Sequence, residues 1–245
     1  MAKKEKIERA PRGPLKALRL KMRALKKKNS FLALLIDTAT IIVSALAISF
    51  IIKTFLLRSF YIPSGSMLET LQINDRIIVN ELVPNVIPLQ RGDVVVFKDP
   101  GGWLGVPAKT EPGHPLQQIS QWLLEITGLS SPDNDQHLVK RVIGVPGDKV
   151  ECCAKSGALL VNGKETTEPY IFAGNKPSET KFNVTVPDGK VWVMGDHRAA
   201  SADSRYHQDD VNNGMVPIKE ITGRVVAVIW PFNHAKLTPG IDGTR

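Results

Sequence analysis

Cysteine is almost missing from this chain: Cys152 and Cys153 are the two it has, and they are neighbours. Adjacent thiols cannot build a four-ligand zinc site alone, and no C-x-x-C spacing occurs. They read as two small half-buried residues at a strand end, or as a strained vicinal disulfide if the domain sits in an oxidising space. The metal-binding pattern H-E-x-x-H is missing, and so is the nucleophile elbow G-x-S-x-G. Histidine is scarce and late. His114 lies in a Pro/Gly-rich loop, His137 just before a strand, and His197, His207 and His234 in turns or near the terminus. That leaves no visible setting for a histidine-based triad. No internal repeat stands out.

The formal charge of +8 suggests nucleic acid until it is located. Residues 1–30 hold twelve Lys/Arg against Glu5 and Glu8, whereas residues 31–245 carry a net charge of −2. A groove for nucleic acid needs its positive charge on the folded domain. This charge sits on a tail, so a nucleic-acid partner is not expected.

Long apolar sequence, by contrast, is present. Residues 31–57 read FLALLIDTATIIVSALAISFIIKTFLL, with Asp37 and Lys53 as their charged residues. A helix of that length runs about 40 Å, more than the ~30 Å a hydrocarbon core demands. Both charges lie near the ends, where Lys53 can snorkel and Asp37 can approach headgroups. Ala45-Leu46-Ala47 resembles a signal-peptide cleavage site, but the basic region before it is too long and apolar sequence continues beyond it. The expectation is an uncleaved single-pass anchor in the plasma membrane. The basic tail places the N-terminus in the cytoplasm, and the domain beyond the anchor on the outer side.

Beyond Arg58 the pattern changes to short β-type runs. Strands are expected at Arg76–Asn80, Asp93–Lys98, Leu138–Val145, Lys149–Cys152, Ala158–Val161, Lys181–Val186, Lys190–Met194 and Arg224–Trp230. Turn sequences separate them, among them Pro146-Gly147-Asp148, Asn162-Gly163 and Pro187-Asp188-Gly189. Many short strands without intervening helices predict a mostly β domain of curled antiparallel sheets. The segment 99–137 breaks the rhythm. Within it Leu116, Ile119, Trp122, Leu123 and Ile126 recur at helical spacing over 115–129. That amphipathic helix would pack on the β domain, or lie in the membrane interface with Trp122 and Trp103 as anchors.

The chemistry-bearing stretch is Ile62-Pro63-Ser64-Gly65-Ser66-Met67, just past the apolar run. A serine nucleophile needs a base, a group to orient that base, and donors for an oxyanion. Lysine can be the base if it is neutral, and burial favours the neutral amine. Lys140, in His137-Leu138-Val139-Lys140-Arg141-Val142-Ile143-Gly144, has the required aliphatic setting. In a strand it shares a face with Leu138 and Val142, while Arg141 points the other way. Ser178-Glu179-Thr180-Lys181 satisfies S-x-x-K, yet neither S-D-N nor K-T-G accompanies it.

Four blocks in order resemble a bacterial type I signal peptidase, a Ser/Lys-dyad serine protease. They are the Ser59–Met67 stretch, Arg91–Phe97, Lys140–Asp148 (KRVIGVPGD) and Gly195–Arg205 (GDHRAASADSR). The resemblance implies Ser66 as nucleophile and Lys140 as general base. It implies an oxyanion hole from the Ser64 hydroxyl and the Ser66 N–H, Ser201 orienting the lysine amine, and Asp196, Asp203 and Arg205 as structural support. Ile62, Met67, Leu138 and Val139 are the candidates for lining the pockets that take small side chains at −1 and −3. The substrates implied are signal peptides of exported preproteins, with the lipid bilayer as partner and no metal or cofactor. His197 stands where relatives often have Asn, Ala199-Ala200 where many have Asp-Asn, and Glu69 where proline is frequent.

The expected organisation is therefore a basic tail at 1–30, an anchor helix at 31–57, and a β-rich protease domain at 58–245 with a variable insertion at 99–137. Alternatives share parts of this picture. A self-cleaving Ser/Lys repressor would carry a DNA-binding region instead of an anchor. A relative processing pilin or conjugation proteins would differ in substrate alone. A non-enzymatic anchored β domain would cleave nothing.

Overall fold

The computed structural model describes residues 30–55, 57–105 and 136–238. The expected helix at 115–129 and the basic tail lie outside the described residues. Two compact units divide the chain, Met1–Ile52 and Lys53–Arg245.

Helix α1 begins at Ser30, in the first unit, and runs for 26 residues to Phe55, in the second. Its apolar residues are not gathered on one face. Phe31, Leu34, Ile41, Ile42, Val43, Leu46 and Ile48 are all exposed. The side chains at 50–55 lie outside the described residues, and among the described ones no helix is both long and apolar enough to cross a membrane. The sequence predicts helix through Leu57, but Leu57 already opens a strand.

Among the described residues, the regular structure of the second unit is mostly antiparallel strand, as expected. They are β1 (Leu57–Tyr61), β2 (Arg76–Asn80), β3 (Val94–Lys98), β4 (His137–Gly144), β5 (Lys149–Cys152) and β6 (Leu159–Val161). The others are β7 (Lys164–Glu165), β8 (Phe182–Thr185), β9 (Lys190–Met194), β10 (Val216–Pro217), β11 (Ile221–Trp230) and β12 (Lys236–Leu237). The larger sheet runs in the order β1-β2-β11-β3-β4-β9-β10, with β12 paired to β11. The smaller one runs β7-β6-β5-β8.

Side-chain alternation explains the layering. On β2, Ile77 and Val79 are fully buried while Arg76, Ile78 and Asn80 are half-buried. The uninterrupted Val94-Val95-Val96-Phe97 run of β3 is buried on both faces. Val94 and Val96 join a core cluster with Phe60, Ile62, Met67, Leu71, Ile77 and Val79. Val95 and Phe97 join another with Trp103, Val142, Val191 and Val193. A third cluster, centred on Trp192, Val150, Leu159 and Met194, fastens the smaller sheet to the larger. Gly223 lets β11 meet β2, because a Cβ there would lie 2.4 Å from the Asn80 carbonyl oxygen.

Trp103 belongs to this interior. It is 8% exposed, stacks on His207 and gives its indole N–H to Asp210, so it is not a membrane anchor. Cys152 and Cys153 are joined in a disulfide, which decides between the two readings of the pair.

Candidate active site

After β1 the chain turns through Ile62–Leu71 and returns to β2. Ile62 N–H donates to the Asp75 carbonyl, and Asn74 N–H to the Ile62 carbonyl, which closes the loop at its neck. Met67 and Leu71 are buried in the core beneath it. Ser66 stands half-buried on the loop and Ser64 is exposed.

The strand β4 brings in the lysine. Its first half pairs with β3, Val95 opposite Lys140 and Phe97 opposite Leu138. Lys140 is 3% exposed, and its Nζ lies 2.8 Å from Ser66 Oγ, bridging positions far apart in sequence. The amine also donates to the Val139 carbonyl oxygen at 3.1 Å. Burial lowers the Lys140 pKa from 10.5 to about 8; the charges of Asp203 and Asp196 pull it back up, and Arg205 pushes it down. At a pKa of about 8, roughly a tenth of the side chain is neutral at pH 7.

Both of those carboxylates are matched by a guanidinium. Arg205 Nε and Nη2 each donate to Asp203 at 2.8 Å, and neither side chain is exposed. Arg141 grips Asp196 with Nε at 2.8 Å and Nη2 at 2.6 Å, while its Nη1 donates to the Gly92 carbonyl. Thr70 also donates to Asp196, tying the serine loop to this pair. An unmatched carboxylate near the amine would hold it as ammonium. Each acid is paired with its own arginine, and the pull that they still exert on the amine is outweighed by burial.

Ser201 departs from the expected arrangement. It is buried, but its hydroxyl donates to Asp203 Oδ2 at 2.8 Å and makes no hydrogen bond to Lys140. Asp203 Oδ2 also accepts the Gly195 N–H at 2.9 Å. The nearby carboxylate is the stronger acceptor, so it takes the hydroxyl proton. The Val139 carbonyl, not Ser201, is the group that fixes the amine besides Ser66. No motif points to a main-chain carbonyl, so sequence reasoning had no signal for it.

The four pocket candidates separate. Ile62 and Met67 are 3% and 1% exposed, and Val139 packs against their cluster. Leu138 packs against the opposite cluster, with Val142, because successive strand residues face opposite ways. That alternation parts Leu138 from Val139, although Leu138 then shares its face with Lys140. Ile62 and Met67 lie under the serine loop and offer almost no surface of their own. The S-x-x-K decoy is also settled: Ser178 bonds with the Thr180 backbone.

Gly195 and His197 close the site from the other side. A Cβ on Gly195 would sit 2.2 Å from Ser201 Oγ and 2.6 Å from the Ser66 carbonyl oxygen, so the approach needs glycine. His197 N–H donates to that same Ser66 carbonyl at 3.0 Å. Among the described residues no group of histidines, cysteines and acids could hold a metal ion.

Comparison with known proteins places the chain in a family. The family model described as signal peptidase, peptidase S26 matches residues 35–230. A probable signal peptidase I of Mycobacterium leprae is 35% identical, over 80% of this chain and 76% of its own length. A signal peptidase I of Mycobacterium tuberculosis is 36% identical, over 80% of this chain and 72% of its own. The signal peptidase I S of Bacillus subtilis is 31% identical over 89% of this chain and all of its own length. The match takes in the serine loop, the lysine strand and the Gly195–Arg205 segment together, and the chain belongs to the signal peptidase family, peptidase S26.

Proposed function

We propose that this signal peptidase, a serine endopeptidase, cuts preproteins with Ser66 as nucleophile and neutral Lys140 as general base. The observation that carries the proposal is the 2.8 Å approach of Lys140 Nζ to Ser66 Oγ, with the lysine almost wholly buried. The amine takes the hydroxyl proton as Ser66 Oγ attacks the carbonyl carbon of the scissile bond. The oxyanion is met by the Ser66 N–H and the exposed Ser64 hydroxyl. As the C–N bond breaks, Lys140 returns the proton to the leaving amine. Water, deprotonated by the same lysine, then attacks the acyl-enzyme and frees Ser66. Ser201 acts one step back, holding Asp203, and no metal or cofactor is called on. Small side chains at −1 and −3 would rest near Ile62, Met67 and Val139.

We further place this chemistry on the outer side of the plasma membrane, with α1 within a single-pass anchor at 31–57. The long apolar sequence, charged only at Asp37 and Lys53, and the exposure of most of its described side chains support that placement. So do the basic residues preceding it and a disulfide suited to an oxidising space. Carbonate washing of membranes tests the anchor: the chain should stay with the pellet, and its release would contradict an integral span.

Cleavage of a preprotein by the full chain in detergent tests the dyad. Ser66→Ala and Lys140→Ala should each lower kcat at least a thousandfold, on the order of what a nucleophile or its base contributes. Substantial turnover by Lys140→Ala would remove the lysine from the mechanism. A non-enzymatic β domain predicts no cleavage by any version, and a pilin-processing relative predicts cleavage of pilin-type substrates instead.

A further inference from the structure

One imidazole beside the dyad has no task in the catalytic cycle of Ser66 and Lys140. His197 is half-buried, and its ring stacks on Phe172 with centroids 4.3 Å apart and planes 25° from parallel. Its Nδ1 lies 3.3 Å from the Gly65 carbonyl oxygen. A carbonyl can only accept, so Nδ1 carries the proton and donates. Phe172 is itself held, its N–H donating to the Asp196 carbonyl at 3.0 Å. The Ala199 N–H, donated to Asn175 at 2.9 Å, ties the same two segments together.

The bond matters because of what lies across the peptide. The Gly65 carbonyl and the Ser66 N–H are opposite ends of one planar unit, so fixing the direction of the first fixes the second. A donor on the carbonyl also polarises the amide and makes its N–H a better donor. We propose that His197, braced by Phe172, is a positioning residue that orients and polarises the Gly65–Ser66 peptide so that the Ser66 N–H meets the oxyanion. This rests on the assignment of Ser66 as nucleophile and of its N–H as an oxyanion donor. The grip is double: the His197 backbone N–H holds the Ser66 carbonyl, on the far side of the same residue. The Leu68 N–H also reaches the Gly65 oxygen at 3.3 Å, so losing the imidazole leaves the peptide partly held. The effect is therefore a partial loss.

Two variants of the full chain test it. His197→Phe keeps an aromatic ring against Phe172 and removes the donor; His197→Asn returns a side-chain N–H. The readouts are kcat and KM on a signal-peptide substrate, and the affinity of a matching peptide aldehyde, whose hemiacetal with Ser66 puts an oxygen where the oxyanion forms. His197→Phe should lower kcat about tenfold, the effect of one neutral hydrogen bond, with KM within about twofold. Aldehyde affinity should fall in parallel, and His197→Asn should recover most of both. Wild-type kcat in His197→Phe would overturn the proposal. So would a fall in kcat not mirrored in aldehyde affinity, or an Asn variant no better than Phe at equal melting temperature. Ser66→Ala, run alongside, separates the levels: if it still turns over, the assignment of the nucleophile fails. If it is dead while His197→Phe is normal, the positioning role alone fails.

Discussion

A lysine that is 3% exposed opposes folding as an ammonium, and the same desolvation makes it a base. Its pKa is about 8 in the folded chain and 10.5 as the ordinary value. Between those values the unfolded chain holds more protons, so unfolding free energy rises with pH across that window. Below pH 8 the penalty is complete, about 3 kcal/mol; above about 10.5 it is gone. Lys140→Met removes the charge and keeps the bulk. At pH 7 that variant should be more stable than the wild type by about 1–3 kcal/mol in chemical denaturation, with the difference shrinking toward pH 10. A variant less stable at pH 7, with a pH-independent gap, would show that burial is not what depresses the lysine. The meeting of Ser66 with Lys140 was legible because their motifs are sharp and an aliphatic strand is a poor place for an ordinary lysine. The partner of Ser201 was not. A hydroxyl takes whichever acceptor the fold brings nearest, and Asp203 lies only two residues on.

The strand β4 does two things at different points along its length. From Arg141 onward it pairs with β9, Arg141 opposite Met194 and Val142 opposite Val193. Leu138–Lys140 have β3 on one side, and the described β9 pairing does not reach them on the other. An extended peptide can add to that stretch by main-chain hydrogen bonds, which would lay its scissile bond alongside Lys140. Replacing one backbone amide of the substrate, at a bonding position near the cut, by an ester should lower kcat/KM about tenfold. A series of such esters that cut as fast as the amide would argue against strand addition. The strands with clear alternation or continuous aliphatic runs were readable, and β2, β5 and β9 matched to the residue. The two-residue strands β10 and β12 were not, because two residues show no period, whereas β7 was legible from the Asn162-Gly163 turn that folds Lys164-Glu165 back on Leu160-Val161. β1 was hidden for another reason: Leu57 continues an apolar run, and hydrophobicity alone does not mark where a helix becomes a strand.

At the scale of the whole molecule, charge is separated from catalysis. The positive tail precedes the apolar run, while the body beyond it is close to neutral. Within that body Asp196 and Asp203 are each paired with an arginine, and burial outweighs the upward pull that they still exert on the base. Which acid meets which arginine depends on pairings between distant segments, so only Asp203 with Arg205, two residues apart, was within reach of the sequence. The central claim is that one buried amine must lose its proton before Ser66 can attack. The pH dependence of kcat/KM for signal-peptide cleavage by the full chain, from pH 6 to 10, reads that event directly. The expected profile rises tenfold per pH unit on its acid side and levels off near pH 8. A profile flat through that range, or one still climbing toward 10.5, would contradict it.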